Sequence, residues 1–222
     1  MKIPLSSRLQ ACCGFVKNGD RVADIGCDHG YLSIYLLKNH IASCAYACDV
    51  AEGPLQSARR NAVKYGVAEQ ISFYLSDGVR NVPRDFDTLV CAGMGGDTMV
   101  SILSAAPWLR DSRYRLVLQC QSKRELLRRY LSETGWHIAT ETVLQDGRFL
   151  YTVMEVVWQP EAPRFTPGQW YFPPAMLKAP TEKTKEYYDR VLFSLNRAIT
   201  NGGEHADPVF AQALEELGGI TW

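Results

Sequence analysis

The stretch whose reading decides the fold is Arg21-Val22-Ala23-Asp24-Ile25-Gly26-Cys27-Asp28-His29-Gly30-Tyr31-Leu32. An apolar run ends in an acid, a glycine turn follows, and a second glycine opens a helical pattern. That order predicts a first parallel strand feeding a tight βα loop of the kind that holds a nucleotide-like cofactor. The spacing, Asp-x-Gly-x-x-x-Gly, differs from the Gly-x-Gly-x-x-Gly of dinucleotide-binding units, whose glycines seat a pyrophosphate on a helix N-terminus. Here Asp24 leads the loop and Asp28 sits inside it. Two carboxylates repel pyrophosphate but suit a cationic ligand, and S-adenosylmethionine, with its ammonium and sulfonium, is such a ligand. An ordinary strand–turn–helix that needs glycine only for its turn is the competing reading.

Upstream of this stretch, residues 5–16 carry apolar positions at helical spacing, with Ser6 or Ser7 as N-cap. Downstream, Tyr31 to Asn39 reads as a helix, and Ala42 to Asp49 is a second apolar run ending in an acid. Asp49 stands one βαβ unit beyond Asp24, where a carboxylate can bind ribose hydroxyls; a turn acid opening the next helix has the same residue type. Glu52 to Tyr65 is helical, with Pro54 in its first turn and Gly66 as its stop. Gln70 to Leu75 alternates as a third strand. The Ser76-Asp77-Gly78 turn closing it offers an acid to an adenine amino group or serves purely local turn chemistry. Phe86 to Ala92 is strand four, followed by Gly93-Met94-Gly95-Gly96, whose glycines let backbone approach a ligand closely.

Asp97 to Leu109 is helical and Tyr114 to Gln119 is strand five. Lys123 to Thr134 is a helix with Leu126, Leu127, Tyr130 and Leu131 inward and its arginines outward. His137 to Val143 and Phe149 to Trp158 are strands joined through Asp146-Gly147, a hairpin signal. The fold class expected is α/β and Rossmann-like: a mostly parallel seven-stranded sheet with helices on both faces and its ligand at the carboxyl edge.

With 222 residues, 46% hydrophobic and 22% charged, the chain is of ordinary globular composition and long enough for one large core plus an appendage. No run reaches the ~20 apolar residues of a membrane span. The N-terminus has no basic region leading into a long apolar run, so no signal peptide and a cytoplasmic location are expected. The seven cysteines include no Cys-x-x-Cys pair and no zinc-spaced Cys/His cluster, which points to reduced, buried thiols and no metal. Net charge is zero, but Arg110, Arg113, Arg115, Lys123, Arg124, Arg128 and Arg129 crowd one segment. Such a stretch is a phosphate-binding footprint or a solvated face.

Composition divides the chain into a domain over 1–158, a Pro-rich linker over 159–180 anchored by Trp170, Tyr171 and Phe172, and a helical extension over 181–222. The extension, helical over Thr181 to Thr200 and Asp207 to Leu217, is too small for its own core. It should pack on the domain, on a partner chain or against a substrate.

Several segments together resemble the bacterial TrmK family of tRNA (adenine(22)-N(1))-methyltransferases. They are Leu5-Ser6-x-Arg8-Leu9, Asp24-Ile25-Gly26-x-Asp28-His29-Gly30-Tyr31-Leu32, and Gly53-Pro54 after Asp49. To these are added Asp77-Gly78, Ala92-Gly93-Met94-Gly95-Gly96, the Leu116 to Gln119 strand, and the Asp146-Gly147 hairpin running to Tyr151. The pairing of Asp-His-Gly-Tyr with Gly-Met-Gly-Gly is far more specific than a lone glycine loop. Three features depart from the family: Gln119-Cys120-Gln121 where Gln-Pro-Asn is usual, Asp49 where Glu is common, and a short helical tail. The first and third lie on the substrate side.

The resemblance implies methyl transfer from S-adenosylmethionine to N1 of an adenine in tRNA by a monomer or weak homodimer. Cofactor contacts fall to Asp24, Gly26, Asp28, Gly30, Asp49, Asp77, Gly78 and Gly93. Asp28 is the candidate to stabilise the methylated base or accept an N6 proton, with His29 and Tyr31 orienting it; a plain contact to the cofactor ammonium would equally explain an acid there. Met94 and Gly95 would border a flipped base. Gln119 would hydrogen-bond that base or simply cap its strand. Arg8, Lys123, Arg124 and Arg128 are the candidate phosphate contacts, followed by Tyr187, Tyr188 and Arg190, whose tyrosines fit core packing equally well. A methyltransferase acting on a small molecule or protein would keep the loops without needing the basic surface. A non-catalytic RNA-binding protein on the same scaffold would bind tRNA without turnover. A nicotinamide dehydrogenase stands further off, because Gly-x-Gly-x-x-Gly is missing.

Overall fold

The computed structural model describes residues 2–220. Its strands are β1 (Asp20–Ile25), β2 (Ala42–Asp49), β3 (Ile71–Leu75), β4 (Thr88–Met94), β5 (Arg115–Cys120), β6 (Trp136–Asp146) and β7 (Phe149–Trp158). The helices are α1 (Ser7–Cys13), α2 (Tyr31–Lys38), α3 (Glu52–Tyr65), α4 (Gly96–Ser104), α5 (Arg124–Glu133), α6 (Pro167–Tyr171), α7 (Glu182–Gly202) and α8 (Pro208–Gly218). The strands form one seven-stranded sheet in the order β3-β2-β1-β4-β5-β7-β6. Every pairing from β3 to β5 is parallel, and β7 runs antiparallel to both β5 and β6. The strand order reverses direction between β1 and β4, which in open α/β sheets is the place where a crevice opens at the carboxyl edge.

Successive strand residues face opposite sides of the sheet, and the two cores follow that alternation. Ala23, Ile25, Leu89, Cys91, Leu116 and Leu118 join the layer containing Met99, Leu103, Leu127 and Leu131. Val22, Val90 and Val117 join the opposite layer with Cys12, Ile34, Leu36, Leu55 and Ala62. Because both faces of β1, β4 and β5 are covered, these strands read as continuous apolar runs. The N-cap of α1 is Ser6, whose hydroxyl accepts from the Leu9 N–H at 3.4 Å. Gly66 ends α3 in the left-handed conformation, φ 71°.

The helical tail builds a third core with the hairpin. Phe172, Met176, Tyr187, Tyr188, Leu195, Ala213 and Leu217 close over Val143 of β6 and Leu150 of β7. The proline-rich segment contributes α6, held at its start by Glu216 of α8, whose Oε2 accepts the Gly168 N–H at 2.8 Å. Two features of α5 differ from the periodicity reading. Leu126 is exposed, and Arg128 points inward with no solvent exposure. The next subsection gives its partners.

Candidate functional site

Above the switch point lies a cavity of about 500 Å³, walled by the loops after β1, β2, β3 and β4, by the start of α1, and by Gln119 and Gln121. Its size falls within the range of small-molecule sites. The floor is Asp24, at the carboxyl end of β1 and 5% exposed. Its Oδ2 accepts from the Ser33 hydroxyl at 2.7 Å. Burial, with a smaller contribution from Asp49, pushes the Asp24 carboxyl up to about 6; hydrogen bonding from Ser33 pulls it back.

The loop from Gly26 to Gly30 is shaped by left-handed backbone. Gly26 has φ 73°, Gly30 φ 72°, and Asp28 itself φ 49°. At Gly26 a Cβ would lie 2.2 Å from Met94 Cε, the flexible end of a side chain that would have to swing aside. At Gly30 it lets α3 approach, with Ala58 Cβ at 3.0 Å from the same virtual atom. Asp49, at the tip of β2, accepts the Asp28 N–H at 3.1 Å on Oδ2 and the Ala51 N–H at 3.0 Å on Oδ1. Each oxygen keeps a further lone pair for a hydroxyl donor. Asp28 and His29 are exposed at the mouth, with His29 Nε2 3.7 Å from Asp28 Oδ1 and the His29 and Tyr31 ring centroids 5.9 Å apart.

On the β3 side, the Ser76 hydroxyl donates to the Gly78 carbonyl at 2.8 Å and accepts the Asn81 N–H at 3.1 Å. This fixes the turn that carries Asp77 to the rim, where it pairs with Arg80 at 3.2 Å. On the β4 side, Gly93 sits in a bulge against β5, φ 84°. Its N–H donates to Gln119 Oε1 at 3.1 Å, while Gln119 Nε2 lies 3.4 Å from the Cys120 carbonyl. Gln119 is buried with its amide bonded within this turn, and it also lines the cavity. Gln121, whose Nε2 lies 3.5 Å from where a Gly93 Cβ would be, presents the freer amide to the cavity. Gly96 could not be replaced without moving backbone: its Cβ would be 2.3 Å from the Lys123 carbonyl oxygen.

The basic residues scatter. Arg8 does line the cavity, bound to Asp146 at 3.3 Å and set over the Tyr151 ring at 5.3 Å. Lys123, at the N-cap of α5, is outside the cavity and pairs with Asp97 at 2.6 Å. Arg124 lies over Tyr187 at 5.5 Å, in a groove between α5 and α7. Arg128 is a correction. Its Nε and Nη2 contact Glu141 at 3.1 and 2.6 Å, Nη1 donates to the Trp170 and Tyr171 carbonyls, and Nη2 lies 3.2 Å from the Tyr187 hydroxyl. A guanidinium with its donors so used and no exposure cannot meet an RNA phosphate. Tyr187 and Tyr188 are likewise buried in the tail core. Arg115 lies at the opposite edge of the sheet, paired with Asp20 and Glu155. The basic segment is therefore contiguous in sequence and divided in space.

Sequence reasoning missed Ser33, Thr98, Ile102 and Gln121. Only Gln121 had a signal, as the last residue of the departing Gln-Cys-Gln tripeptide. The others look like ordinary helix residues until α2 and α4 are set against the strands.

A family model described as a methyltransferase domain matches residues 5–154. That span is more than half of the chain, so the chain belongs to the methyltransferase-domain family. Within that family its likeness is to the TrmK proteins. It is 34% identical over 154 residues to the tRNA (adenine(22)-N(1))-methyltransferase of Bacillus subtilis, an alignment covering 69% of this chain and 65% of the relative. The chain thus spans a little under two thirds of that curated relative's length. The crystal structure of the B. subtilis M1A22 tRNA methyltransferase TrmK superposes with a TM-score of 0.82 at 28% identity, covering 98% of this chain and 95% of that one. A proposed tRNA (m1A22) methyltransferase from Streptococcus pneumoniae, in complex with S-adenosyl-L-methionine, gives 0.83 at 26%, covering 96% and 98%. At this coverage the superposition takes in the helical tail. The tail expected to be short for the family therefore has most of its counterpart.

Proposed function

We propose that this protein transfers a methyl group from S-adenosylmethionine to N1 of an adenine in tRNA, adenosine 22 by its likeness to the TrmK proteins. The observation that carries the reading is the convergence of Asp24, Asp28 and Asp49 on one cavity at the switch point, without a lysine or arginine from those loops to offset them. An acidic site of this shape favours a cationic ligand over a pyrophosphate. The cofactor, when bound, supplies a methyl already activated on sulfonium.

The chain's own residues then bind and position. Asp24, Gly26 and Gly30 receive the amino-acid end, Asp49 the ribose hydroxyls, and Asp77 with Gly78 the adenine side. Gly93 allows close approach of backbone, and Met94 and Gly95 border the target base. Attack by a ring nitrogen makes that base cationic, and Asp28 at the mouth can stabilise the charge or accept a proton from the exocyclic amine. His29 and Tyr31 orient Asp28. Because no covalent intermediate on the protein is required, rate enhancement comes from alignment and electrostatics. Arg8, Lys123 and Arg124 remain the phosphate-contact assignments. Incubating unmodified tRNA transcripts with protein and S-adenosylmethionine, then searching the digest for N1-methyladenosine, tests this reading.

A further inference from the structure

Ser33 carries no motif signal and is fully buried at the third position of α2. A helical serine in an interior commonly bonds the carbonyl four residues back. That carbonyl belongs to His29 and accepts instead from Asn61 Nδ2 at 3.0 Å. The Ser33 hydroxyl is aimed at Asp24 and donates to its Oδ2 at 2.7 Å. We propose that Ser33 is a positioning residue of the cofactor site, holding the Asp24 carboxylate ionised and turned toward the cavity before a cationic ligand arrives. The inference rests on the S-adenosylmethionine reading above.

The surroundings explain why such a donor is needed. Asp24 is approached by Cys12 and Cys13 from α1, Cys27 from the loop, Cys48 from β2 and Cys91 from β4, all thiols that burial and neighbouring acids keep protonated. Asp49 and Asp28 add negative charge across the same cavity. Arg8 faces it too, but its guanidinium is paired with Asp146. No ion pair to Asp24 forms among the described residues, so the groups favouring its charged form are the hydroxyl and backbone N–H of Ser33. Gly30, the N-cap of α2, has no side chain to cap the first turn, and the Asp24 carboxylate lies beside it on the Ser33 hydroxyl. A cationic ligand would meet a counter-charge already fixed in direction, without having to pay for ionising it.

The test is calorimetric affinity of the full chain for S-adenosylmethionine between pH 5.5 and 7.5, for wild type, Ser33→Ala and Ser33→Thr. The ligand's own titration is common to all three and cancels in their ratios. Wild-type affinity should fall as pH drops through about 6. In Ser33→Ala the fall should begin about one pH unit higher, making the variant about threefold weaker at pH 6.5, about eightfold weaker at 5.5 and close to wild type at 7.5. Ser33→Thr should restore the wild-type profile. In an Asp24→Asn background, Ser33→Ala should have no further pH-dependent effect. A loss in Ser33→Ala that is equal at every pH, or no loss, overturns the proposal. Wild type that does not bind S-adenosylmethionine at all overturns the cofactor reading beneath it, an outcome distinct from the first two.

Discussion

The backbone N–H of Asp28 donates to Asp49 Oδ2 at 3.1 Å, so the loop after β1 takes its shape from a side chain on β2. The same carboxylate holds the Ala51 N–H at 3.0 Å, and one residue thereby organises two walls of the cavity. Asp49→Ala should lower S-adenosylmethionine affinity by tenfold or more, since it removes a charge at the cavity, two loop bonds and the proposed ribose contact together. Asp49→Asn keeps one acceptor oxygen and should fall between. Titration calorimetry of both variants checks the order.

Gly26 and Met94 make a second coupled pair. Gly26→Ala brings a Cβ to 2.2 Å from Met94 Cε and also imposes a side chain on φ 73°. The first cost can be relieved by a smaller neighbour, whereas the second, about 1–2 kcal/mol, cannot. Gly26→Ala should therefore abolish most cofactor binding, and Gly26→Ala/Met94→Ala should recover part of it. A double-mutant cycle in affinity reads the coupling.

The buried Arg128–Glu141 pair predicts a large and asymmetric stability effect. Removing one partner leaves the other charged, desolvated and unpaired, so Arg128→Met should destabilise by about 3–5 kcal/mol. Arg128→Met/Glu141→Leu should cost less than the single change. Denaturant unfolding gives both values. The single variant should also loosen α6 and α7, since Arg128 holds the Trp170 and Tyr171 carbonyls and the Tyr187 hydroxyl.

Asp24 sets a pH dependence of its own. Its carboxyl lies near 6 in the folded protein against an unfolded value of 3.8. A raised carboxyl favours folding below its unfolded value, and the advantage is lost as pH rises through about 6. Free of ligand, the protein should thus lose stability from this group between about pH 4 and 6, by roughly 3 kcal/mol in all. Asp24→Asn removes that loss and should melt higher than wild type at pH 8 while binding the cofactor poorly. Thermal melts across that range decide it.

These cases also show what was legible in the sequence. Asp24, Gly26, Gly30 and Asp49 could be read because strand ends and glycine turns put such residues at fixed places along the chain. The apolar run of Val22-Ala23 into Asp24-Ile25 could be read as a strand because a strand buried on both faces is continuously apolar. Arg128 could not, since the groups that bury it come from β6, α6 and α7, far along the chain, and an arginine on an amphipathic helix otherwise belongs outside. Ser33 was hidden similarly: its meaning comes from an acid nine residues earlier, across a loop whose shape the helical pattern does not specify. The proline-rich segment forms α6 because Gln169 and Glu216 satisfy its first turn, a contact supplied partly from α8.

The measurement closest to the central claim is nucleoside mass spectrometry of tRNA transcripts after incubation with the protein and S-adenosylmethionine, alongside Asp24→Ala and Asp28→Ala. N1-methyladenosine formed by wild type and missing with both variants is the predicted result. Absence of methylated nucleoside from a protein that binds S-adenosylmethionine would contradict the tRNA reading and direct the search to another acceptor.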